Sequence, residues 1–239
     1  MWEDIIIAPM SEEFILWRCL HHAPLSKDNI EDCPPDQRVD WQSRHAINLP
    51  VLRKIMHTYG ACAMLAWDGT RVVGFLRFYP KAIMAMEEAG FLCLQQAYPD
   101  GASERLVRNC FPPLEEMGDK TLLVHCLMVG SPYWEENPYR RKGIGTRLVR
   151  ALMRWAKDCG WEAIEAFAFE ELDVIYDASG ATGKRFWERL GFQMVGQDTL
   201  PLGGVDEGFV SAMREQAVAL GLQPEDAQNR YTMRFELKG

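Results

Sequence analysis

The sequence carries no paired-cysteine signature. Its seven cysteines, Cys19, Cys33, Cys62, Cys93, Cys110, Cys126 and Cys159, are odd in number and scattered, with no C-x-x-C pair. That argues against a disulfide-stapled scaffold and fits a reduced, cytoplasmic compartment. Cys19, His21, His22 and Cys33 match no standard zinc spacing, so no metal is expected. Long apolar runs are also missing. The longest stretch without Lys, Arg, Asp or Glu, Thr121 to Trp134, contains His125, Gly130 and Pro132 and falls short of the roughly 18 apolar residues of a membrane span. The opening MWEDIIIAPMSEEF has Glu3 and Asp4 where a secretory leader has positive charge. Positive charge is scarce overall: 26 Lys and Arg stand against 34 Asp and Glu, a formal net charge of -8. This disfavours nucleic acid and anionic membranes as partners. An acidic chain holds an anionic ligand only through a local basic cluster.

What is present is the composition of a globular protein, 239 residues with 48% hydrophobic and 25% charged, enough to build a core unaided. Glu12 to Leu20 is predicted as a short amphipathic helix, Asp28 to Asp40 as a loop, and Leu52 to Tyr59 as a helix entered through Pro50 and stopped by Gly60. Ala61–Trp67 and Arg71–Tyr79 flank the turn dipeptide Asp68-Gly69 and predict a hairpin. Residues 81 to 119 read as an insertion, with a helix over Ile83 to Glu88 and a short strand at Phe91–Leu94. Thr121 to Val129, TLLVHCLMV, has the pattern of a strand buried on both faces. Ile144 to Cys159 is the most periodic helix, with Leu148, Leu152, Trp155 and Cys159 at spacings of four, three and four and Gly160 as its cap. A strand (Trp161–Phe169), a loop to Gly180, a helix (Lys184–Leu190), a strand from Phe192, a helix (Phe209–Leu220) and a strand (Tyr231–Leu237) complete an α/β, or α+β, chain with a mixed sheet. Residues 1–239 read as a single domain whose C-terminal helix–strand extension begins near 198.

One segment joins the buried strand to the periodic helix: Asn137-Pro138-Tyr139-Arg140-Arg141-Lys142-Gly143-Ile144-Gly145-Thr146-Arg147-Leu148. Three cations precede two glycines at a helix start, where backbone N–H groups lack intrahelical partners and the dipole favours anions. Glycine lets a phosphate approach those donors. The spacing suits a diphosphate, yet neither the P-loop pattern nor the Rossmann fingerprint fits, since Leu148 stands where a third glycine would be needed. The plainer reading is an arginine-rich loop with a glycine helix entry.

YRRKGIGTRLV resembles the acetyl-CoA pyrophosphate loop of the GNAT superfamily of N-acetyltransferases, R/Q-x-x-G-x-G/A at a helix start. Phe186-Trp187-Glu188-Arg189-Leu190-Gly191-Phe192 is similar to the family's FYEKLGF segment, and Val72-Val73-Gly74-Phe75-Leu76 more weakly to its hairpin strand. The resemblance covers about residues 61 to 197. It implies a mostly antiparallel sheet, flanked by helices, in which strands 121–129 and 161–169 run parallel and splay apart to admit the pantetheine arm. It implies further that Leu127, Met128 and Val129 bind that arm, one of their N–H groups polarising the thioester. Arg140, Arg141, Lys142, Gly143, Ile144, Gly145 and Thr146 would hold the pyrophosphate. Acetyl-CoA is then the co-substrate, and a small-molecule or peptide amine attacks its acetyl group directly in a ternary complex.

The chain departs from the family pattern in three places. GSPYWEEN, Gly130 to Asn137, is inserted beside the thioester end, as a surface loop or as a source of Glu135 or Glu136 to bind or deprotonate the amine. Trp187 stands where the family often has the tyrosine acid, and an indole is no proton donor of use. Tyr176 or Tyr133 is then expected to protonate the thiolate, Tyr176 first, unless the thiolate leaves unaided. The buried strand holds no carboxylate, so His125 is its candidate base, against a plain core role. Cys126 reads as packing rather than as a nucleophile. The alternative function is an acyl-CoA-binding regulatory module with weak chemistry or none. Net negative charge mildly favours a cationic acceptor, and a homodimer is the default assembly.

Overall fold

The Asp68-Gly69 turn reverses the chain as its chemistry requires, with Gly69 at φ +56°, so that β2 (Ala63–Asp68) folds back into β3 (Arg71–Pro80). The protein is seen here in a computed structural model that describes residues 4–20, 24–31, 41–86, 108, 111–131, 134, 136–200, 202 and 205–237. The hairpin lies in a seven-stranded sheet of order β1-β2-β3-β4-β5-β7-β6. Its other members are β1 (Ile6–Pro9), β4 (Thr121–Val129), β5 (Ala163–Ala168), β6 (Gln193–Thr199) and β7 (Asn229–Glu236). Among the described residues only the β4–β5 pair of strands is parallel, and the other neighbouring strands are antiparallel. The expected mixed, mostly antiparallel sheet flanked by helices is the observed one.

Among the described residues the helices that flank the sheet are α1 (Trp41–Tyr59), α2 (Lys81–Met84), α3 (Ile144–Asp158), α4 (Asp173–Ser179), α5 (Lys184–Glu188) and α6 (Glu207–Ala219). The apolar stripe of α3, with Leu148 and Leu152 fully buried, lies against β1 to β4. Most buried side chains form one cluster around the sheet. A second, small cluster joins the far end of β5 to α4 and α6.

Two features of β4 shape everything near its C-terminal end. Arg77 pairs with Cys126 while Phe78 pairs with Val124, so His125 is an extra residue on β4, a bulge. Bulges bend their strand and interrupt pairing. The parallel ladder to β5 accordingly ends at Val124↔Ala166, although β4 runs on to Val129 and β5 continues beside β7. The strands splay, as the resemblance implied.

Several expectations do not hold. Residues 12–20 form no helix. Phe14 to Leu20 are buried without exception, which no one-sided surface helix allows. Their main chain is served from a distance: Arg77 Nη2 donates to the Leu16 carbonyl at 2.9 Å, Asn48 Nδ2 to that of Trp17 at 3.2 Å, and Trp134 Nε1 to that of Leu20 at 2.8 Å. The second helix starts at Trp41, well before Leu52, and runs through Pro50. The ring is on the exposed side, and buried Val51, Leu52 and Ile55 hold the helix to the sheet. The stretch before Gly180, expected as a loop, contains α4. β1 went unpredicted. Within the 81–119 insertion, α2 ends at Met84; Glu87, Glu88 and the expected strand Phe91–Leu94 lie outside the described residues.

Candidate active site

The basic loop enters α3 beside the splayed end of β4. Arg141 sits at φ +61°, a left-handed conformation uncommon outside glycine. Gly143 follows at φ +77° as the N-cap of α3, and no side chain caps the helix. The first intrahelical bond closes from Arg147 N–H to the Gly143 carbonyl at 3.1 Å, so the amides of Ile144, Gly145 and Thr146 have no acceptor within the helix. A Cβ on Gly143 would meet nothing within 4 Å, while one on Gly145 would lie 3.6 Å from Leu127 Cδ2 and 3.7 Å from Phe186. The helix start is thus an open, uncapped cradle resting on β4 and on the α5 helix of the second motif. These residues fit a diphosphate. Arg147, the other cation of the motif, is turned away and donates to the Ile5 carbonyl.

On β4 the residues expected to hold the pantetheine arm already have partners, and α4 with its C-cap supplies those of Leu127 and Val129. Leu127 N–H donates to the Gly180 carbonyl at 3.0 Å, and Val129 N–H to the Tyr176 hydroxyl at 3.1 Å. Met128 pairs with Phe75 of β3. Cys126, buried, directs Sγ to the Ser179 carbonyl at 3.4 Å. Gly180 has φ +70°, and a Cβ there would meet Cys126 Sγ at 2.6 Å and the Leu127 carbonyl at 3.0 Å. Only glycine brings α4 this close. Arg140 Nη2 reaches both Asp173 Oδ1 and Asp177 Oδ1 at 3.1 Å, and Arg141 Nη2 lies 3.8 Å from Asp173 Oδ2. Burial raises the Tyr176 phenol above its ordinary range, against the opposing pull of the Val129 amide, so it is protonated at neutral pH. Sequence reasoning missed Asp173 and Asp177; the signal lay in their spacing of four, which puts both on one face of a helical turn.

The other candidates are placed as follows. His125, the bulge residue, packs its ring edge-on to Tyr79 at 5.8 Å. Its Nδ1 is sealed from solvent with no hydrogen-bond partner. Burial first, and then the Arg77 charge, bring its pKa down to about 4. It is therefore neutral and a much weaker base than an ordinary histidine. Trp187 is a core residue, 2% exposed and packed on Phe186 and Phe192. The two ends of the 130–137 loop meet: Gly130 at φ +61° accommodates the Asn137 side chain, whose Nδ2 donates to the Ser131 carbonyl at 3.1 Å. Tyr139 donates to Asp68 Oδ2 at 2.7 Å, which with burial holds its phenol at about 12. Glu136 is exposed on this loop; Glu135 and Tyr133 lie outside the described residues. So do His21, His22 and Cys33 of the dismissed zinc pattern, while Cys19 is buried in the core.

The sequence profile of the acetyltransferase (GNAT) family matches residues 27–192. No curated protein sequence matches the chain. Among solved structures, the chain is similar to the apo form of a mutant agmatine N-acetyltransferase, at 16% identity over 98% of this chain and 99% of that one, with a TM-score of 0.49. It is similar to an aminoglycoside 6'-acetyltransferase type Ii, at 17% identity over 98% of each chain and a TM-score of 0.46. It also resembles Ard1 from Thermoplasma volcanium, at 13% identity over 99% of each chain and a TM-score of 0.45.

Proposed function

The chain belongs to the GNAT family of acetyltransferases, and on that footing we propose that it transfers an acetyl group from acetyl-CoA to a primary amine by direct attack in a ternary complex. The observation that carries this reading is the uncapped start of α3, with Gly143 open and three cations before it, set beside the splayed end of β4. Arg140, Arg141 and Lys142 with the amides of Gly143, Ile144, Gly145 and Thr146 hold the diphosphate. Leu127, Met128 and Val129 line the arm, and an amide there stabilises charge on the thioester oxygen, a contribution of about 100-fold or more in rate. Acetyl-CoA supplies an acetyl group already activated as a thioester. Tyr176, protonated and released from the Val129 amide when the ligand takes that donor, serves as the acid for the departing thiolate. Glu135 or Glu136 on the 130–137 loop binds the amine or takes its proton. His125, with its lowered pKa and sealed Nδ1, takes the plain core role rather than that of the base.

We read residues 1–239 as one domain in which 81–119 and 198–230 shape acceptor choice. The acceptor is a small-molecule amine or a peptide amine, with cationic compounds favoured by the net charge of -8. A cytoplasmic setting is the reading of the odd-numbered, scattered cysteines without a C-x-x-C pair. Among the described residues no helix is long and apolar enough to cross a membrane. If the chain self-associates, a homodimer is the default form.

Calorimetric titration with acetyl-CoA tests the reading. The wild type is expected to bind. Gly143→Glu, which puts a carboxylate at the N-cap in a left-handed position, is expected to weaken binding about tenfold or more. Absence of binding to the wild type overturns the proposal. The second reading, a CoA-binding module without chemistry, is favoured by the core placement of Trp187 and by α4 lying in the slot. Thiol release from acetyl-CoA decides between them: acceleration by an amine panel supports the transferase, and slow hydrolysis indifferent to amines supports the module.

A further inference from the structure

The groups assigned above to acetyl-CoA are hydrogen-bond donors and cations, and several of them already face an acceptor from one short helix and its cap. The Gly180 carbonyl is on Leu127 N–H and the Tyr176 hydroxyl on Val129 N–H. The Asp173 and Asp177 carboxylates are on Arg140, with Asp173 extending toward Arg141. Arg140 also lies 5.2 Å over the Tyr176 ring. A surface helix packed for stability alone would present apolar side chains to the sheet. α4 presents neutral oxygens to strand amides at one end and carboxylates to cations at the other. A ligand with carbonyls on its arm and a diphosphate at its end has the same order of charges.

The opposite side of α4 belongs to the small second cluster, not to the main core. Ile175 and Leu172 pack with Phe169, Met213, Ala217 and Ala227, and Val174 N–H donates to Gln216 Oε1 of α6 at 3.1 Å. Units with few buried apolar residues open at low cost. The ion pairs on the slot side are partly solvated, with side-chain exposures of 63% at Asp173 and 30% at Asp177, and such pairs contribute little each.

We propose that α4 is an intrasteric strap: it fills the acetyl-CoA slot in the resting protein, and acetyl-CoA binds by displacing it. The idea rests on the acetyl-CoA reading above. It follows that the cofactor binds more weakly than its contacts alone would give, by the fraction of molecules in which the strap is open. A seven-residue helix released from its packing is too short to hold together, so its amides lose protection on displacement.

The test compares the wild type with the double variant Asp173→Asn, Asp177→Asn, which removes the carboxylates from the cations and leaves the backbone alone. Acetyl-CoA is titrated calorimetrically into both, and hydrogen exchange of residues 173–180 is followed with and without saturating acetyl-CoA. The strap predicts that the double variant binds about two- to fivefold more tightly, and that acetyl-CoA speeds exchange in α4 of the wild type. If the aspartates merely orient Arg140 for the ligand, the variant binds more weakly. That result, an unchanged affinity, or slower exchange in α4 with acetyl-CoA overturns the strap while leaving the acetyl-CoA reading intact. If neither protein binds acetyl-CoA, the cofactor reading fails and the strap falls with it.

Discussion

At the scale of the residue, the bulge at His125 does two things at once. It ends the ladder between β4 and β5, and it leaves an imidazole among Tyr79 and the buried Arg77 with no partner for Nδ1. A histidine that binds its proton less readily when folded than when unfolded makes the folded state lose stability as pH falls between the two pKa values. Stability is therefore expected to be level above about 6.5 and to drop toward about 4 as far as His125 is concerned. The drop is on the order of 2 kcal/mol, since the ring is only partly enclosed. His125→Gln should flatten that slope; urea midpoints of both proteins at neutral pH and at about pH 4.5 measure it. Tyr176 gives a second expectation at this scale. Tyr176→Phe should lower turnover about 100-fold if the phenol is the acid, read as kcat under saturating acetyl-CoA.

At the scale of the element, α1 and α4 each carry one residue that decides their behaviour. Pro50 lies inside α1 with its ring toward solvent, which costs the helix the bond from residue 50 to the Ala46 carbonyl. Pro50→Ala should raise stability by about 1–2 kcal/mol after the added freedom of the unfolded chain is subtracted. A shift in urea midpoint without a change in slope checks it. Gly180 acts the other way. Gly180→Ala sets a methyl against Cys126 Sγ and the Leu127 carbonyl in a left-handed conformation and should undock α4, visible as faster hydrogen exchange in 173–180 with α3 unchanged. The same two elements explain what the sequence disclosed. The α3 helix and β4 were legible because their apolar residues recur at the period of the element that buries them. The segment from Phe14 to Leu20 was not, because its carbonyls are satisfied by Arg77, Asn48 and Trp134, which are distant in the chain. In α4, Val174, Ile175 and Tyr176 give one short apolar patch and no full turn of periodicity. The cradle could be read from Arg140 to Gly145; that it faces Asp173 and Asp177 could not.

At the scale of the whole molecule, the two apolar clusters divide the labour. The large one fixes the sheet with α1 and α3, and the small one, of six buried residues, fixes α4 and α6 to the end of β5. Removing Met213, 1% exposed, should cost about 2–3 kcal/mol. The loss is expected to fall on local opening of residues 173–228 before it reaches the sheet. Native-state exchange of Met213→Ala at low denaturant reads this directly, with α6 amides losing protection while β4 amides keep theirs. The net charge of -8 has its local exception at the start of α3, where Arg140 meets two aspartates of α4.

Cys126 turns that arrangement into a clock. Its thiol is held under Gly180 against the Ser179 carbonyl, so an alkylating reagent reaches it only while α4 is away from β4. Exposed Cys159 needs no opening to react and, with both rates scaled to those of the unfolded chain, sets the reference rate. The ratio of the two labelling rates in the unliganded protein gives the fraction of time the slot stands open, without any ligand, substrate or assay of turnover.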